Sequence, residues 1–247
     1  MSVDDFPAPG NPDGAPVALP SPFADVALWW APLTADADEI ARVSAWLAPA
    51  EQARAARFGR QALSERYVAG RALLRWLLGR ALSLAPHAVP IERGERGRPQ
   101  LAGAAGIDFN VSHTEGIALV GIARARRIGV DIERADRIVR ADGLAQKFLT
   151  PAEQATLAPL PEPERRARFL RYWTCKEAMS KATGDGLSAP FRELEVRLNT
   201  GIDLARGPAP YEPSRWQLER VAVPVEYLGT VALWSKATPV VPSSDRD

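Results

Sequence analysis

The sequence predicts an α+β fold made of two similar halves, each a small, largely antiparallel sheet with its own packed helices. Three segments recur in the same order and at similar offsets: Pro49-Ala-Glu-Gln-Ala at Pro151, Arg66-Tyr67 at Arg171-Tyr172, and Gly116-Ile-Ala-Leu-Val at Gly229-Thr-Val-Ala-Leu. Recurrence of several segments in one order indicates an internal duplication. We therefore expect a pseudo-two-fold arrangement with the ligand site in the cleft between the halves.

The predicted organisation has four parts: a disordered Pro-rich tail over residues 1–22, an N-terminal half over 23–125, a C-terminal half over 126–237 and a disordered tail over 238–247. The first tail carries six prolines and no periodic apolar pattern. Such a segment buries too little apolar surface to offset its ordering entropy.

In the N-terminal half, a short apolar run predicts a strand at 25–31. Helical periodicity follows at 37–47, at 49–58 and at 62–82, where Leu73, Leu74, Leu77 and Leu78 form a buried stripe. The glycines at 94 and 97 predict a turn before strands at 107–113 and 116–123.

The C-terminal half repeats this plan. We expect a strand at 128–133, a helix near 138–148, and a second helix introduced by the capping box of Thr150 and Glu153. A long helix over about 163–182 ends before Gly184, and strands follow at 193–198, 216–223 and 229–235.

Composition narrows the function classes. The chain has 247 residues, of which 46% are hydrophobic and 25% charged, with a formal charge of +1. That charge gives no global attraction to nucleic acid or membrane. One cysteine excludes an internal disulfide and fits a reducing compartment, and no apolar run approaches the roughly 18 residues that span a bilayer. Without a visible secretory signal, we expect a cytoplasmic protein.

One face of the long helix of the second half carries Trp173, Glu177 and Lys181, spaced four residues apart. Side chains at this spacing stack along a helix. The pattern has two interpretations at this point. Glu177 and Lys181 form a plain helical ion pair, or they belong to a site with acids from elsewhere.

Asp131 and Glu133 alternate with apolar residues in Gly129-Val-Asp-Ile-Glu, so both project from one face of a strand. The N-terminal half has no such pair, and Ala72 stands where the repeat would place Glu177. Three carboxylates suit a hard cation such as Mg²⁺. The alternative is that both acids lie on the solvent face of an edge strand.

Four motifs in one order resemble the signature of the 4′-phosphopantetheinyl transferases: Gly97-Arg-Pro, Asn110-Val-Ser-His, Gly129-Val-Asp-Ile-Glu and Trp173-Thr-Cys-Lys-Glu-Ala-Met-Ser-Lys. The resemblance covers residues 25–236. The two-half layout is similar to the monomeric type that serves peptide and polyketide synthases, rather than to the short type that assembles as a trimer.

The resemblance implies transfer of the phosphopantetheine arm of coenzyme A to a serine of an apo acyl or peptidyl carrier protein, with release of adenosine 3′,5′-bisphosphate. It implies that Asp131, Glu133 and Glu177 hold Mg²⁺ on the pyrophosphate, and that Lys181 balances charge on the leaving group. The base is Glu177, acting directly or through a metal-bound water, with His113 as the second candidate.

The same resemblance implies phosphate contacts from Arg54, Arg66, Arg98 and His113. Arg98 replaces a lysine common in the family, and Glu51 stands where relatives carry a phosphate-binding lysine. The sequence leaves open whether Ser112 and Asn110 bond to the ligand or order their loop.

Two other functions stay open from the residues alone. One is a non-catalytic module that binds carrier proteins. The other is a Mg²⁺-dependent phosphohydrolase, because three carboxylates alone do not indicate whether serine or water is the phosphoryl acceptor.

Overall fold

The fold is that of two antiparallel sheets, each covered by a long helix. The computed structural model describes residues 15–94, 96–103 and 106–236. The N-terminal half contains β1 (Val17–Leu19), β2 (Val26–Pro32), α1 (Ala37–Ser44), α2 (Pro49–Ala55), α3 (Gln61–Leu82), β3 (Ile91–Arg93), β4 (Pro99–Leu101), β5 (Ile107–Thr114) and β6 (Ile117–Arg124). The C-terminal half contains β7 (Arg127–Arg134), α4 (Ala141–Phe148), α5 (Pro151–Leu157), α6 (Glu162–Thr183), β8 (Glu195–Leu198), β9 (Ile202–Arg206), β10 (Trp216–Val221) and β11 (Tyr227–Trp234).

The predicted duplication is confirmed by the strand order. The first sheet runs β1-β2-β6-β5 and the second runs β7-β11-β10-β9-β8, all antiparallel, while β3 and β4 form a separate hairpin. The triplet β2-β6-β5 therefore corresponds to β7-β11-β10. The helices correspond as well, because α3 and α6 each have 22 residues and α2 and α5 each begin at a proline.

Several boundaries differ from the sequence prediction. Residues 17–19 belong to a strand that pairs with β2, so this part of the tail predicted as disordered is folded. Backbone pairing to β2 supplies hydrogen bonds that a short segment lacks alone. The sequence analysis also missed the β3–β4 hairpin and β9, and α4 starts at Ala141 rather than near 138. Residues 1–14 and the predicted tail at 238–247 lie outside the described residues. No helix among the described residues combines the length and apolarity that crossing a membrane requires.

Three of the four apolar clusters among the described residues pack the helices on the sheets and the sheets on each other. One face of β6 packs under α3, where Leu74 and Leu78 are fully buried, and α6 covers the second sheet in the same way. A third cluster lies between the sheets and includes Leu28, Leu119 and Val130. Residues of alternating parity along β6 feed the first and third clusters, as strand geometry requires. The halves therefore share a core.

The two sheets also meet through the edge strands β5 and β7. Side-chain oxygens of alternate β5 residues accept hydrogen bonds from backbone amides of alternate β7 residues: Asp108 from Ile128 at 2.8 Å, Asn110 from Val130 at 3.0 Å and Ser112 from Ile132 at 3.3 Å. We call this set the side-chain ladder. It satisfies amides on the open edge of β7 that would otherwise be buried without partners.

Arg98 stabilises the interface between β5 and β7. Its guanidinium forms a bidentate pair with Asp108 at 2.7 and 2.8 Å and donates to the carbonyl oxygens of Phe109, Ile128 and Lys181. The residue is buried. It therefore links β4, β5, β7 and the end of α6.

A buried ion pair is duplicated in the two halves. Glu51 on α2 pairs with Arg71 and, at 2.6 Å, with Arg75 on α3. Glu153 on α5 pairs with Lys176 on α6 at 2.7 Å. Arg71 and Lys176 correspond when the halves are aligned through their Arg-Tyr pairs. Glu51 is thus a structural residue, because both of its oxygens bond to arginines.

The helix α6 lies unusually close to β7 at Gly129. A Cβ atom at this glycine would stand 1.9 Å from the carbonyl oxygen of Ala178 and 2.7 Å from the amide nitrogen of Ala182. Both atoms belong to helix backbone, which does not yield as a side chain does. The absence of a side chain at residue 129 thus sets the distance between the strand and the helix.

We expect Gly129→Ala to lower the free energy of unfolding by more than about 3 kcal/mol, because the new methyl group overlaps helix backbone. Gly143→Ala is the matched control, since a Cβ at Gly143 in α4 meets nothing within 4 Å. That variant should be neutral or stabilised by up to about 1 kcal/mol. Urea unfolding measures both, and equal stability of the two variants would contradict the close-packing argument.

Candidate active site

Asp131 stands at the centre of the site, in the middle of β7. It is 4% exposed, so its location on the solvent face of an edge strand is excluded. Its Oδ1 accepts hydrogen bonds from Lys181 Nζ at 2.6 Å and from Ser112 Oγ at 2.9 Å. Its Oδ2 is buried with no hydrogen-bond partner among the described residues. One carboxylate oxygen is therefore bound, and the other is available.

Ser112 contributes to this cluster from the other half of the molecule. Its hydroxyl donates to Asp131 and accepts from Lys181 Nζ at 2.8 Å and from the Ile132 amide. A hydroxyl has one donor and two acceptor positions, so all three are used. Ser112 and Asn110 thus both bond to protein here, and the contact of Ser112 with coenzyme A stays a prediction.

Glu177 and Glu133 complete the acidic group. Burial, followed by the negative charge of Asp131, raises the pKa of each carboxyl above its ordinary value. Glu177 Oε1 is buried and has no partner among the described residues, whereas Glu133 pairs with Arg137. Asp131 acts on both carboxyls and Glu133 acts on Glu177, so the three carboxylates interact electrostatically.

Lys181 directs its ammonium group at Asp131 and Ser112. Its closest anionic contact is therefore on β7, and the plain helical ion pair with Glu177 does not describe the contact. Gly129 permits this arrangement, because the close approach of α6 lets a helix residue reach a neighbouring strand position.

The carboxylate oxygens of the cluster are chemically suitable ligands for a divalent cation. Carboxylate oxygens are the ligands that Mg²⁺ prefers, and Asp131 Oδ2 and Glu177 Oε1 are two buried oxygens that need a partner. No cluster of three or more His, Cys, Asp or Glu side chains within the described ranges is arranged to hold a metal ion as placed. The ammonium of Lys181 takes one of the oxygens instead.

His113 follows Ser112 near the end of β5. The residue is exposed as a whole, yet desolvation on its protein side, followed by the charge of Lys181, lowers the pKa of its imidazole. A lowered pKa leaves the ring mainly neutral near pH 7. His113 thus lies beside the carboxylate cluster as an uncharged donor or acceptor.

The predicted phosphate contact of Arg98 does not agree with its contacts. Every donor of its guanidinium is engaged by protein oxygens, so none remains for a phosphate in this arrangement. The sequence showed a basic residue in a turn but not its partner Asp108, which lies ten residues further along the chain on β5.

Arg54 and Arg66 lie away from the carboxylates. Arg54 stacks over the Tyr67 ring at 5.3 Å and lines a cavity of about 400 Å³ together with Arg71 and Arg93. Arg66 is exposed on α3. The structure thus gathers Asp131, Glu133, Glu177, Lys181, Ser112 and His113 and leaves these two arginines outside the group.

Larger cavities lie elsewhere. Two cavities of about 780 and 660 Å³ share Arg127 and Trp234, near the first residue of β7, among their lining residues. The three carboxylates line neither cavity. The chemistry rather than the cavity size indicates the site, because the carboxylate cluster combines two unpartnered carboxylate oxygens with a lysine.

Arg137 and Asp108 are the site residues that the sequence analysis missed. Arg137 lies in the turn after β7, where no periodicity predicts its contact with Glu133. Asp108 carried a usable signal, because Asp108, Asn110 and Ser112 alternate along one strand face.

Comparison with known proteins gives matches for both halves of the chain. Residues 127–232 match a family described as the 4′-phosphopantetheinyl transferase superfamily, and residues 29–124 match one described as 4′-phosphopantetheinyl transferase, N-terminal. The matches meet at the β6–β7 connection.

Individual relatives extend over most of the chain. The 4′-phosphopantetheinyl transferase HetI of a Nostoc species is 36% identical over 196 residues, 78% of each chain. A putative 4′-phosphopantetheinyl transferase of Synechocystis is 32% identical over 68% of each chain. A 4′-phosphopantetheinyl transferase of Bacillus subtilis is 27% identical over 72% of this chain and 80% of its own.

In the metal-free protein we expect Glu177 to titrate above the ordinary value of 4.5, because burial and the charges of Asp131 and Glu133 raise its pKa. Asp131→Asn removes one of those charges, so the pKa of Glu177 should fall. A proton bound preferentially by the folded state stabilises it, so this contribution is lost as the pH rises through the folded-state pKa. Carbon-13 NMR of the Glu177 side-chain carboxyl in the wild type and in Asp131→Asn measures the shift, and equal pKa values in the two proteins would contradict the coupling.

Proposed function

This chain belongs to the 4′-phosphopantetheinyl transferase superfamily, and we propose that it transfers the phosphopantetheine arm of coenzyme A to a serine hydroxyl of an apo acyl or peptidyl carrier protein. Adenosine 3′,5′-bisphosphate is the expected second product. The observation that carries the proposal is the contact of Lys181 with Asp131 beside two unpartnered carboxylate oxygens. Anionic ligands for a cation and a cation for a phosphate thus occur together.

The transfer is proposed to depend on Mg²⁺. Asp131, Glu133 and Glu177 would hold the ion, which would supply Lewis-acid polarisation of the pyrophosphate and neutralise its charge. The chemistry of the donor set and the two unpartnered oxygens support this assignment.

Lys181 is proposed to bind the pyrophosphate and to balance the charge of the leaving bisphosphate. Phosphoryl-group transfer is accelerated mainly by positioning and charge neutralisation. A lysine suits this task as a compact charge on a flexible stem. Its side chain is 27% exposed, so the ammonium can turn from Asp131 toward a ligand.

Glu177 is proposed to take the proton of the carrier serine. Its pKa, raised by burial and by the charge of Asp131, makes it a stronger base than an ordinary glutamate, which suits a general base. His113 is the second candidate, because its lowered pKa keeps it neutral and able to accept a proton.

The phosphate groups of coenzyme A need further cations. Arg54 and Arg66 remain proposed contacts, and the arginine-lined cavity beside Arg54 supports the first of them. Arginine binds phosphate in bidentate geometry. Arg98 is omitted from this group, because its donors hold the two halves together.

The decisive experiment incubates the protein with coenzyme A, Mg²⁺ and an apo carrier protein and follows the intact mass of the carrier. A gain of one phosphopantetheine group supports the proposal, and the carrier with its serine changed to alanine is the control. Consumption of coenzyme A without modified carrier would indicate the phosphohydrolase. Carrier binding with neither reaction would indicate the non-catalytic module.

Size-exclusion chromatography tests the accompanying expectation of a monomer, in which one chain supplies both Ser112 and Asp131.

Asp131→Asn and Glu133→Gln should each abolish transfer at saturating Mg²⁺, because each loses a charged oxygen ligand while keeping its shape. Asp136→Asn is the matched control, since Asp136 is exposed and pairs with Arg134. It should transfer at the wild-type rate. Carrier mass against time measures all three, and near-normal transfer by the Asp131 or Glu133 variant would remove that residue from the ligand set.

Glu177→Gln should lower the transfer rate by at least about 10²-fold, the lower end of what loss of a general base costs. The change keeps the side-chain shape and removes both charge and proton acceptor. Glu164→Gln, on an exposed position of the same helix, should change nothing. A plain surface ion pair would contribute at most about 1 kcal/mol to stability and nothing to the rate, so normal transfer by Glu177→Gln would contradict the assigned role.

A further inference from the structure

The contact between Lys181 and Asp131 raises a question about metal binding. A carboxylate that accepts from an ammonium group at 2.6 Å cannot offer the same oxygen to a metal ion. Ser112 bonds to that oxygen as well, so Asp131 Oδ1 is occupied on two sides. The free oxygens are Asp131 Oδ2 and Glu177 Oε1, which have no partner among the described residues.

The position of the ammonium group makes it a competitor for a metal ion. It carries a positive charge, lies within the carboxylate cluster and compensates part of the cluster's negative charge. A divalent ion at the free oxygens would be close to this charge, and like charges at such distances repel. The ammonium group therefore weakens metal binding unless Lys181 gains another anion to bind.

We infer that Lys181 acts as an internal substitute for the metal ion, so that Mg²⁺ binds strongly only when the coenzyme A pyrophosphate draws the ammonium group away from Asp131. This inference rests on the proposed function for the identity of the anion. Ser112 keeps its hydrogen bond to Asp131 during the exchange and holds the carboxylate in place. Metal and coenzyme A binding are then thermodynamically coupled, and each raises the affinity of the other by the same factor.

The mobility required of Lys181 is consistent with its surroundings. Its side chain is partly exposed, whereas the Asp131 side chain is 6% exposed. The four-carbon stem of lysine lets the head move while the helix stays fixed. The buried pair Lys176–Glu153 on the same helix differs, since both of its side chains are fully enclosed. Only Lys181 of these two lysines is free to exchange partners.

The test measures Mn²⁺ binding without coenzyme A or carrier, by electron paramagnetic resonance of the free ion. Lys181→Met should bind Mn²⁺ at least tenfold more tightly than the wild type, because the competing charge is gone. Lys181→Arg keeps the charge and should bind as weakly as the wild type. Lys147→Met makes the same charge change at a lysine stacked on Phe148 in α4 and should also resemble the wild type.

The second measurement repeats the Mn²⁺ titrations in the presence of coenzyme A. Coenzyme A should tighten Mn²⁺ binding by at least tenfold in the wild type and clearly less in Lys181→Met, in which no ammonium group needs to be displaced. Should Lys181→Met fail to fold, the Mn²⁺ affinities of the wild type and Lys181→Arg, each measured with and without coenzyme A, test whether coenzyme A tightens metal binding.

Equal Mn²⁺ affinities of wild type and Lys181→Met, or an equal gain in Lys147→Met, would overturn the inference. So would wild-type Mn²⁺ binding that coenzyme A leaves unchanged. These results are separate from the proposed function, because transfer to the carrier is followed independently by mass. If the wild type transfers normally but coenzyme A does not change its Mn²⁺ affinity, only the inference is contradicted. If transfer is absent while the Mn²⁺ results are as expected, the proposed reaction is contradicted.

Discussion

The side-chain ladder between β5 and β7 is the interaction on which the rest of the structure depends. Two sheet edges that would each expose unpaired backbone groups are joined by short polar side chains instead of by a continuous backbone ladder. Because these side chains have fixed spacing, they also fix the register of β7 against β5. That register puts Ser112 of one half against Asp131 of the other, and the candidate site follows from it.

Two further constraints bring α6 to the same place. Gly129 lets the helix backbone approach β7 more closely than any side chain would allow, and Arg98 binds the carbonyl oxygen of Lys181 near the helix end. The position of Lys181 is thus fixed twice, by the close packing of α6 on β7 and by the hydrogen bond from Arg98 to its carbonyl oxygen. Burial of Asp131 and Glu177 then raises the electrostatic cost of leaving the acids together. A site of this kind stores unfavourable charge that a ligand can relieve.

The sequence predicted most of the fold because the duplication, the helical periodicity and the capping signals are local or repeated features. It also singled out the three acids and Lys181 as candidates, since their spacings along one strand and one helix are local, and their roles stay predictions. It did not predict that Arg98 would be structural, because this depends on Asp108 and on carbonyl oxygens of three other segments. The short strand β1 and the pairing of Ser112 were hidden for the same reason. Contacts between segments distant in sequence leave no periodic signal.

The duplicated ion pairs have a consequence for how such a chain can evolve. Glu51 with Arg71 and Glu153 with Lys176 hold equivalent helices in both halves, so the framework was kept twice. The candidate site residues of the long helix occur once, since Ala72 and Trp76 stand where the second half has Glu177 and Lys181. The first half therefore serves mainly as a scaffold, but it still supplies Ser112, which bonds to Asp131. A fused pair of this kind has one such carboxylate cluster among its described residues, and the face of α3 around Ala72 can change without altering a member of that cluster.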